Sequence, residues 1–337
     1  MKKVVAFGEI MLRLSPPGYQ LFEQAQAFEA VYGGSEANVA ISLARFGIKT
    51  DFVTRLPQNP LGEAARQYLN RYGVSTDHIV FGGDRLGIYF LEKGYSIRPS
   101  QVVYDRHHSS FATARPADFN FAAIFSDADW FHVSGITAAL SEELFQITKT
   151  ALQKAKEMGL TTSCDLNYRQ ALWPIHVARK KMTELIPYVD VCIGIEPLEL
   201  PDETGKDKKD RLPVDADLAD YQEMMREIQT IYDIPFLAVT RREQLSVHRH
   251  RLQAVLSDGT NFYVAPEQEV EIVDRVGAGD AFSAGIIYAL LTCKKPQEAI
   301  DFAMSCFALK HTIEGDANLL GLQDIQEFQK QPPGIRR

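Results

Sequence analysis

The sequence predicts an α/β fold: a mainly parallel central sheet flanked by helices, with a small separate β-sheet set off from it. Three observations lead there. Short β-branched runs at Lys3–Phe7, Asp51–Thr54, Trp130–Val133, Thr161–Asp165, Val189–Ile193 and Phe236–Thr240 alternate with stretches of helical period, the pattern of strands joined by crossover helices. Glycines stand where those helical stretches should close. Two regions, Arg13–Tyr32 and Leu86–Phe111, break the alternation with strand-like runs that no helix separates.

Taken in order, Lys3–Phe7 reads as a buried first strand, because Gly8-Glu9 interrupts the apolar run too early for a signal peptide. Ala37, Ala40, Ile41 and Ala44 form one apolar helical face that begins after Gly33-Gly34 and closes at Gly47. Gly87–Leu91 and Val102–Tyr104 read as strands of the excursion. From Ser141 to Met158, apolar residues at Leu144, Ile147, Ala151, Leu152 and Ala155 recur at helical spacing, with Gly159 as a left-handed cap. The Lys- and Asp-dense stretch Glu203–Asp220 has no apolar period and reads as a solvated loop. Val270–Val273 reads as a strand, and Ala281–Cys293, shorter than the roughly 18 residues of a membrane span, as a core helix.

At 337 residues, with 45% hydrophobic and 24% charged residues, the chain has ordinary globular composition and is expected to form a single domain over 1–337. Its net charge of -8 argues against nucleic acid or an anionic membrane as a partner. An anionic ligand must then be met by locally placed Arg, Lys or backbone N–H groups. Cys164, Cys192, Cys293 and Cys306 form no C-x-x-C pair, which suits a reducing cytoplasm and neither zinc nor a disulfide framework.

The segment with most chemical content is Asp274-Arg275-Val276-Gly277-Ala278-Gly279-Asp280, between a strand-like lead and a small-residue helix. Two glycines let the backbone approach a ligand, and the unpaired first-turn N–H groups of the helix suit a phosphoryl group. Asp280 at that end is held as an anion by the helix dipole and can accept a proton. By itself the segment reads more readily as a tight turn with an acidic helix start. Asp165, after a strand, either positions a ligand or closes an Asx turn. Arg242 contacts a phosphate or is solvated. No G-x-x-x-x-G-K-[ST], strand-borne G-x-G-x-x-G or H-E-x-x-H occurs, which argues against P-loop, dinucleotide and zinc-protease chemistry.

Together with Gly33-Gly34-Ser35-Glu36-Ala37-Asn38, the Asp274–Asp280 segment resembles the two signatures of the ribokinase-like, or PfkB, carbohydrate kinases, with Arg275 where that pattern has Thr. The resemblance implies a ribokinase-like fold whose small β-sheet, from about 12–32 and 86–110, is a lid over the sugar. It implies an ATP- and Mg²⁺-dependent kinase with Asp280 as general base and the Gly277, Ala278 and Gly279 backbone as anion hole. Gly33, Gly34 and Asn38 would bind sugar hydroxyls. Gly8–Pro16, Gly87–Phe90, Arg98–Ser100, Val103–Arg106 and Asp165–Arg169 are similar to the branch that phosphorylates 2-dehydro-3-deoxy-D-gluconate. That likeness places Tyr89, Tyr104, Arg106 and Arg169 in the sugar site, where guanidinium forks would hold a carboxylate.

The same likeness puts Lys310 and Gly315 at the end of the adenine pocket. The family's N-x-x-E, which supports the metal through water, is altered: Ile195 replaces Asn, leaving Glu196 and Glu199 as indirect metal candidates. The expected partners are a sugar acid and ATP, and a homo-oligomer is expected because an exposed β edge needs covering. The alternatives are a fructokinase or other neutral-sugar kinase, and a non-catalytic sugar or nucleotide sensor on the same fold.

Overall fold

The first strand, Lys3–Phe7, is buried on both faces. Val5 and Phe7 join one apolar cluster, while Val4 joins another on the opposite side. A strand covered on both sides belongs inside a parallel sheet. The computed structural model describes residues 2–213 and 216–330. Its elements run β1 (Lys3–Phe7), β2 (Met11–Ser15), β3 (Glu29–Gly33), α1 (Ser35–Arg45), β4 (Lys49–Val53), β5 (Arg55–Leu56), α2 (Pro60–Arg71), β6 (Val80–Phe81), β7 (Ile88–Glu92) and β8 (Gln101–Asp105). They continue through α3 (Phe121–Ile124), β9 (Trp130–Ser134), α4 (Gly135–Ala139), α5 (Glu142–Glu157), β10 (Thr161–Asp165), α6 (Ile175–Leu185), β11 (Val191–Ile193) and α7 (Leu218–Tyr232). The chain then forms β12 (Phe236–Ser246), β13 (Arg249–Ser257), β14 (Phe262–Val264), β15 (Gln268–Glu271), α8 (Ala278–Leu291), α9 (Pro296–Lys310) and α10 (Leu322–Lys330).

Nine strands form the main sheet, in the order β14-β13-β12-β11-β10-β9-β1-β4, with β15 pairing β13 outside that path. From β4 to β12 every pairing is parallel; β13, β14 and β15 join antiparallel. One face carries α5, α6 and α7, through Leu144, Ala151, Met182, Leu185, Met225 and Ile228. The other carries α1, α8 and α9. Helix α8 is buried almost all round, which explains its uniformly apolar sequence.

A separate four-stranded sheet, in the order β3-β2-β7-β8, is the small sheet of the ribokinase-like fold. Its central pairing, β2 with β7, is parallel, and its outer pairings are antiparallel. The α5 punctuation holds in detail: the Ser141 hydroxyl accepts the Leu144 N–H at 3.2 Å, and Gly159 has φ +78°.

Three local expectations are corrected. The strand predicted at Phe236–Thr240 runs on to Ser246, because antiparallel β13 supplies ladder partners through Arg242 and beyond, so Arg242 stands on a strand. The strand predicted at Val270–Val273 ends at Glu271; the N–H groups of Val273 and Asp274 turn instead to the His311 carbonyl. The Glu203–Asp220 stretch is not simply solvated. Residues 214–215 lie outside the described residues, but Lys209 is buried and α7 begins at Leu218 on an Asp217 cap. Charge pattern misread it because its lysine and aspartates pair with one another.

Candidate active site

The parallel strands end at a cavity of about 880 Å³, lined by the loops after β1, β10 and β11 and by the N-termini of α1 and α8. Open α/β sheets place ligands there. Gly277 enters α8 with φ +77°, and a Cβ on it would lie 1.7 Å from the Asp316 carbonyl oxygen. Only glycine fits that corner. Nothing stands within 4 Å of a Cβ built on Gly279, so that backbone faces open space. The N–H groups of Gly277, Gly279 and Asp280 have no acceptor among the described residues, whereas that of Ala278 reaches back to Arg275 O at 3.4 Å. Gly277 and Gly279 therefore keep the free donors expected of an anion hole, and Ala278 does not.

Asp280 is 8% exposed. Its carboxylate accepts from the Ser35 hydroxyl at 2.8 Å and from the Asn38 amide at 2.7 Å. Burial raises its pKa, opposed by those two bonds and by the charges of Arg169 and Lys310. Asn38, expected on sugar hydroxyls, thus spends its amide N–H₂ on orienting Asp280; its Oδ1 is buried without a donor. Asp165 lies beside this group and is pushed up to about 7 by burial, and next by the charge of Asp280. It accepts the Asn167 N–H at 3.1 Å, closing the Asx turn that the sequence left open, and the Ser283 hydroxyl at 3.2 Å. The Asn167 amide in turn donates to Ser35 at 3.2 Å.

Tyr89, Tyr104, Arg106 and Arg169 all line the cavity, as do Gly34 and Asn38; Gly33 lies behind them. A Cβ on Gly33 would strike the Asp316 carboxylate. Two of the expected sugar ligands already have partners. Tyr89 donates its hydroxyl to Asp316, which Arg13 also holds at 2.6 Å while reaching Asp274 at 2.8 Å. Arg106 is paired by two nitrogens with Glu9, which also accepts from Ser109. Arg169 makes no side-chain hydrogen bond or ion pair among the described residues.

Arg242 lines the cavity too, together with Arg275, Lys209 and Glu196. Lys310 and Gly315, expected at the end of the adenine pocket, do not line the cavity. Lys310 is fully buried and its ammonium reaches the carbonyls of Ile313 and Asp274, at 3.1 and 3.4 Å; the Gly315 N–H is given to Asp274. Both brace the loop ahead of α8. Glu199 is exposed and off the cavity wall. Glu196 with Asp207 and Asp210 forms the one acidic group, among the described residues, compact enough for a cation. Arg179 already pairs with all three, and Lys209 with two. These carboxylates therefore do not fit a protein-held Mg²⁺.

Residues 1–320 match the pfkB family of carbohydrate kinases. The chain belongs to that family. Its fold superposes on a 2-dehydro-3-deoxygluconokinase from Thermotoga maritima with a TM-score of 0.91, at 42% identity over 98% of each chain. It is 34% identical to a 2-dehydro-3-deoxygalactonokinase of Haloferax volcanii, over 96% of this chain and 95% of that one. With fructokinase-1 of Oryza sativa subsp. japonica it shares 30% identity, over 93% and 92%. The protein is a pfkB carbohydrate kinase, hence a phosphotransferase and not the non-catalytic sensor that the altered 194–199 stretch left open. Sequence reading missed Glu9, Ser35 and Asn167 as parts of this pfkB site. Ser35 stood inside a motif, and Glu9 and Asn167 inside stretches similar to the sugar-acid branch; none was singled out, because their partners Arg106, Asp280 and Ser35 lie far away in the chain.

Proposed function

We propose that this kinase transfers the γ-phosphoryl group of ATP to the terminal hydroxyl of 2-dehydro-3-deoxy-D-gluconate, giving 2-dehydro-3-deoxy-6-phospho-D-gluconate. The observation that carries the sugar-acid reading is Arg169, whose guanidinium borders the cavity within the field of Asp280 and Asp165 yet makes no hydrogen bond or ion pair among the described residues. A carboxylate would complete it through a two-point, charge-assisted contact. The similarity to sugar-acid kinases favours the same class.

Asp280 accepts the hydroxyl proton as the sugar oxygen bonds to the γ-phosphorus. The bond from that phosphorus to the β–γ bridging oxygen breaks, and its electron pair leaves with ADP. The N–H groups of Gly277 and Gly279 meet the charge of the transferring oxygens. In this family Mg²⁺ travels with ATP; since Glu196 is held by Arg179, no step here is assigned to a protein-bound cation. We also propose a homo-oligomer that covers the exposed edge of β8.

A neutral-ketose reading draws on one observation, the Glu9–Arg106 pair, which leaves no net charge at Arg106. A panel of ATP-coupled assays separates the two. 2-Dehydro-3-deoxygluconate, and after it the galactonate epimer, should exceed fructose and ribose in kcat/KM, and a preference for fructose would refute the acid. Asp280→Asn should keep sugar binding and lose about a hundredfold or more in kcat.

A further inference from the structure

Three guanidinium groups face the large cavity from three different elements: Arg169 from the loop after β10, Arg242 from β12, and Arg275 from the loop entering α8. None has a hydrogen-bond acceptor or ion-pair partner for its side chain among the described residues. All three side chains are exposed; Arg169 lies within the field of Asp165 and Asp280, and like charges near one another repel. Arg242 registers this: burial, then Arg275, then Arg169 hold its pKa below the usual guanidinium value. Among the described residues the fold gives neither Arg242 nor Arg275 a salt-bridge partner. A polyanion entering the cavity would supply one.

Arg169 also borders a second, smaller cavity shared with Tyr104 and Arg106, which marks the sugar side; Arg242 and Arg275 border the large cavity only. Lys209 and Glu196 line the same large cavity, and the carboxylate expected to support a metal there is held by Arg179. Arg275 is also tied to the anion hole through its backbone, since its carbonyl accepts the Ala278 N–H. Arg275 and Gly279 line the same cavity.

We propose that Arg275 is a further catalytic residue, binding the β- and γ-phosphoryl oxygens of the nucleoside triphosphate together with Arg242 and neutralising their charge during transfer. It takes a share of charge that the Glu196–Asp207–Asp210 group cannot deliver through a cation. Arg275 exchanges no proton: the bonds made and broken are those at the γ-phosphorus. The assignment rests on the kinase reading but not on which sugar is the acceptor. Sequence reading singled out Arg275 only as a departure from Thr.

The test is calorimetric titration of the full chain with ATP, ADP and adenosine, each with Mg²⁺ and with EDTA, for wild type, Arg275→Thr and Arg275→Lys. Thr is the family's own residue at this position, so Arg275→Thr should fold, and its ligand-free Tm should not fall because a repelling charge is gone. ATP should bind about ten- to a hundredfold more weakly to Arg275→Thr, ADP less so, and adenosine as before. The deficit should deepen in EDTA, where wild type still binds ATP. Arg275→Lys should recover part of the loss, keeping charge without the two-point fork. ATP affinity within twofold of wild type in both conditions, or an equal loss for adenosine, overturns the proposal. If wild type phosphorylates none of the sugars while Arg275→Thr still loses ATP selectively, the sugar assignment fails and this one stands.

Discussion

Two glycines of one turn separate the needs of the fold from the needs of the ligand. Gly277 has a positive φ and a carbonyl where its Cβ would be, so Gly277→Ala should cost about 2 kcal/mol or more in unfolding experiments. Gly279 has neither constraint. Gly279→Ala should leave stability within about 1 kcal/mol of wild type, since alanine favours helix, yet cut kcat about a hundredfold by filling the space a phosphoryl group needs. Unaltered turnover in Gly279→Ala would remove that N–H from the anion hole. Asp165 gives a test that depends on pH. Its folded pKa, about 7, lies above the unfolded carboxylate value of roughly 4, so the native state holds the extra proton. Its contribution is complete at low pH and is lost as pH rises from about 4 to about 7. Asp165→Asn keeps the Asx turn and removes that loss, so its Tm advantage over wild type should grow across this window. A pH-independent Tm difference would show that Asp165 does not titrate as described.

At the scale of elements, legibility followed the range of the interaction. Strands β1, β9 and β10 and helix α5 were readable because their period, caps and breakers lie within a few residues of one another. The length of β12 was not, because its second half is held by β13 and by nothing local. The site divides in the same way: Gly277, Gly279 and Asp280 belong to one short motif, whereas the Arg106–Glu9 pair spans 97 positions and Asn38–Asp280 spans 242. A motif names residues; their partners come only from the folded chain. The outermost lid strand, β8, was legible as a strand, and it is exposed throughout, with Val102 at 43% and Val103 at 51%. Such an edge invites pairing. Val103→Lys should shift the sedimenting species to the monomer mass with stability per chain little changed, and an unaltered mass would exclude β8 from the interface.

For the whole molecule, the important joint lies between the lid sheet and the catalytic loop. Arg13 of β2 and Tyr89 of β7 converge on Asp316, and Arg13 also grips Asp274, just ahead of Gly277. All four are buried. Removing the guanidinium leaves carboxylates stranded, so Arg13→Met should lose about 3–5 kcal/mol at pH 8 by urea unfolding. Asp316 is already pushed up to about 6, mainly by burial. Its pKa should climb further without Arg13, so the native state takes up a proton and the deficit shrinks below about pH 6. A deficit that is the same at pH 8 and pH 5 would show that the joint is not electrostatic.

Asp316 also has a bearing on descent. A Cβ at Gly33 would strike its carboxylate and one at Gly277 its carbonyl, so three positions scattered over the gene share one small volume. Drift at any one is filtered by the other two. Across lineages this trio should behave as a single heritable character, and a chimera that takes its halves from distant parents should fail here before it fails in the sheet.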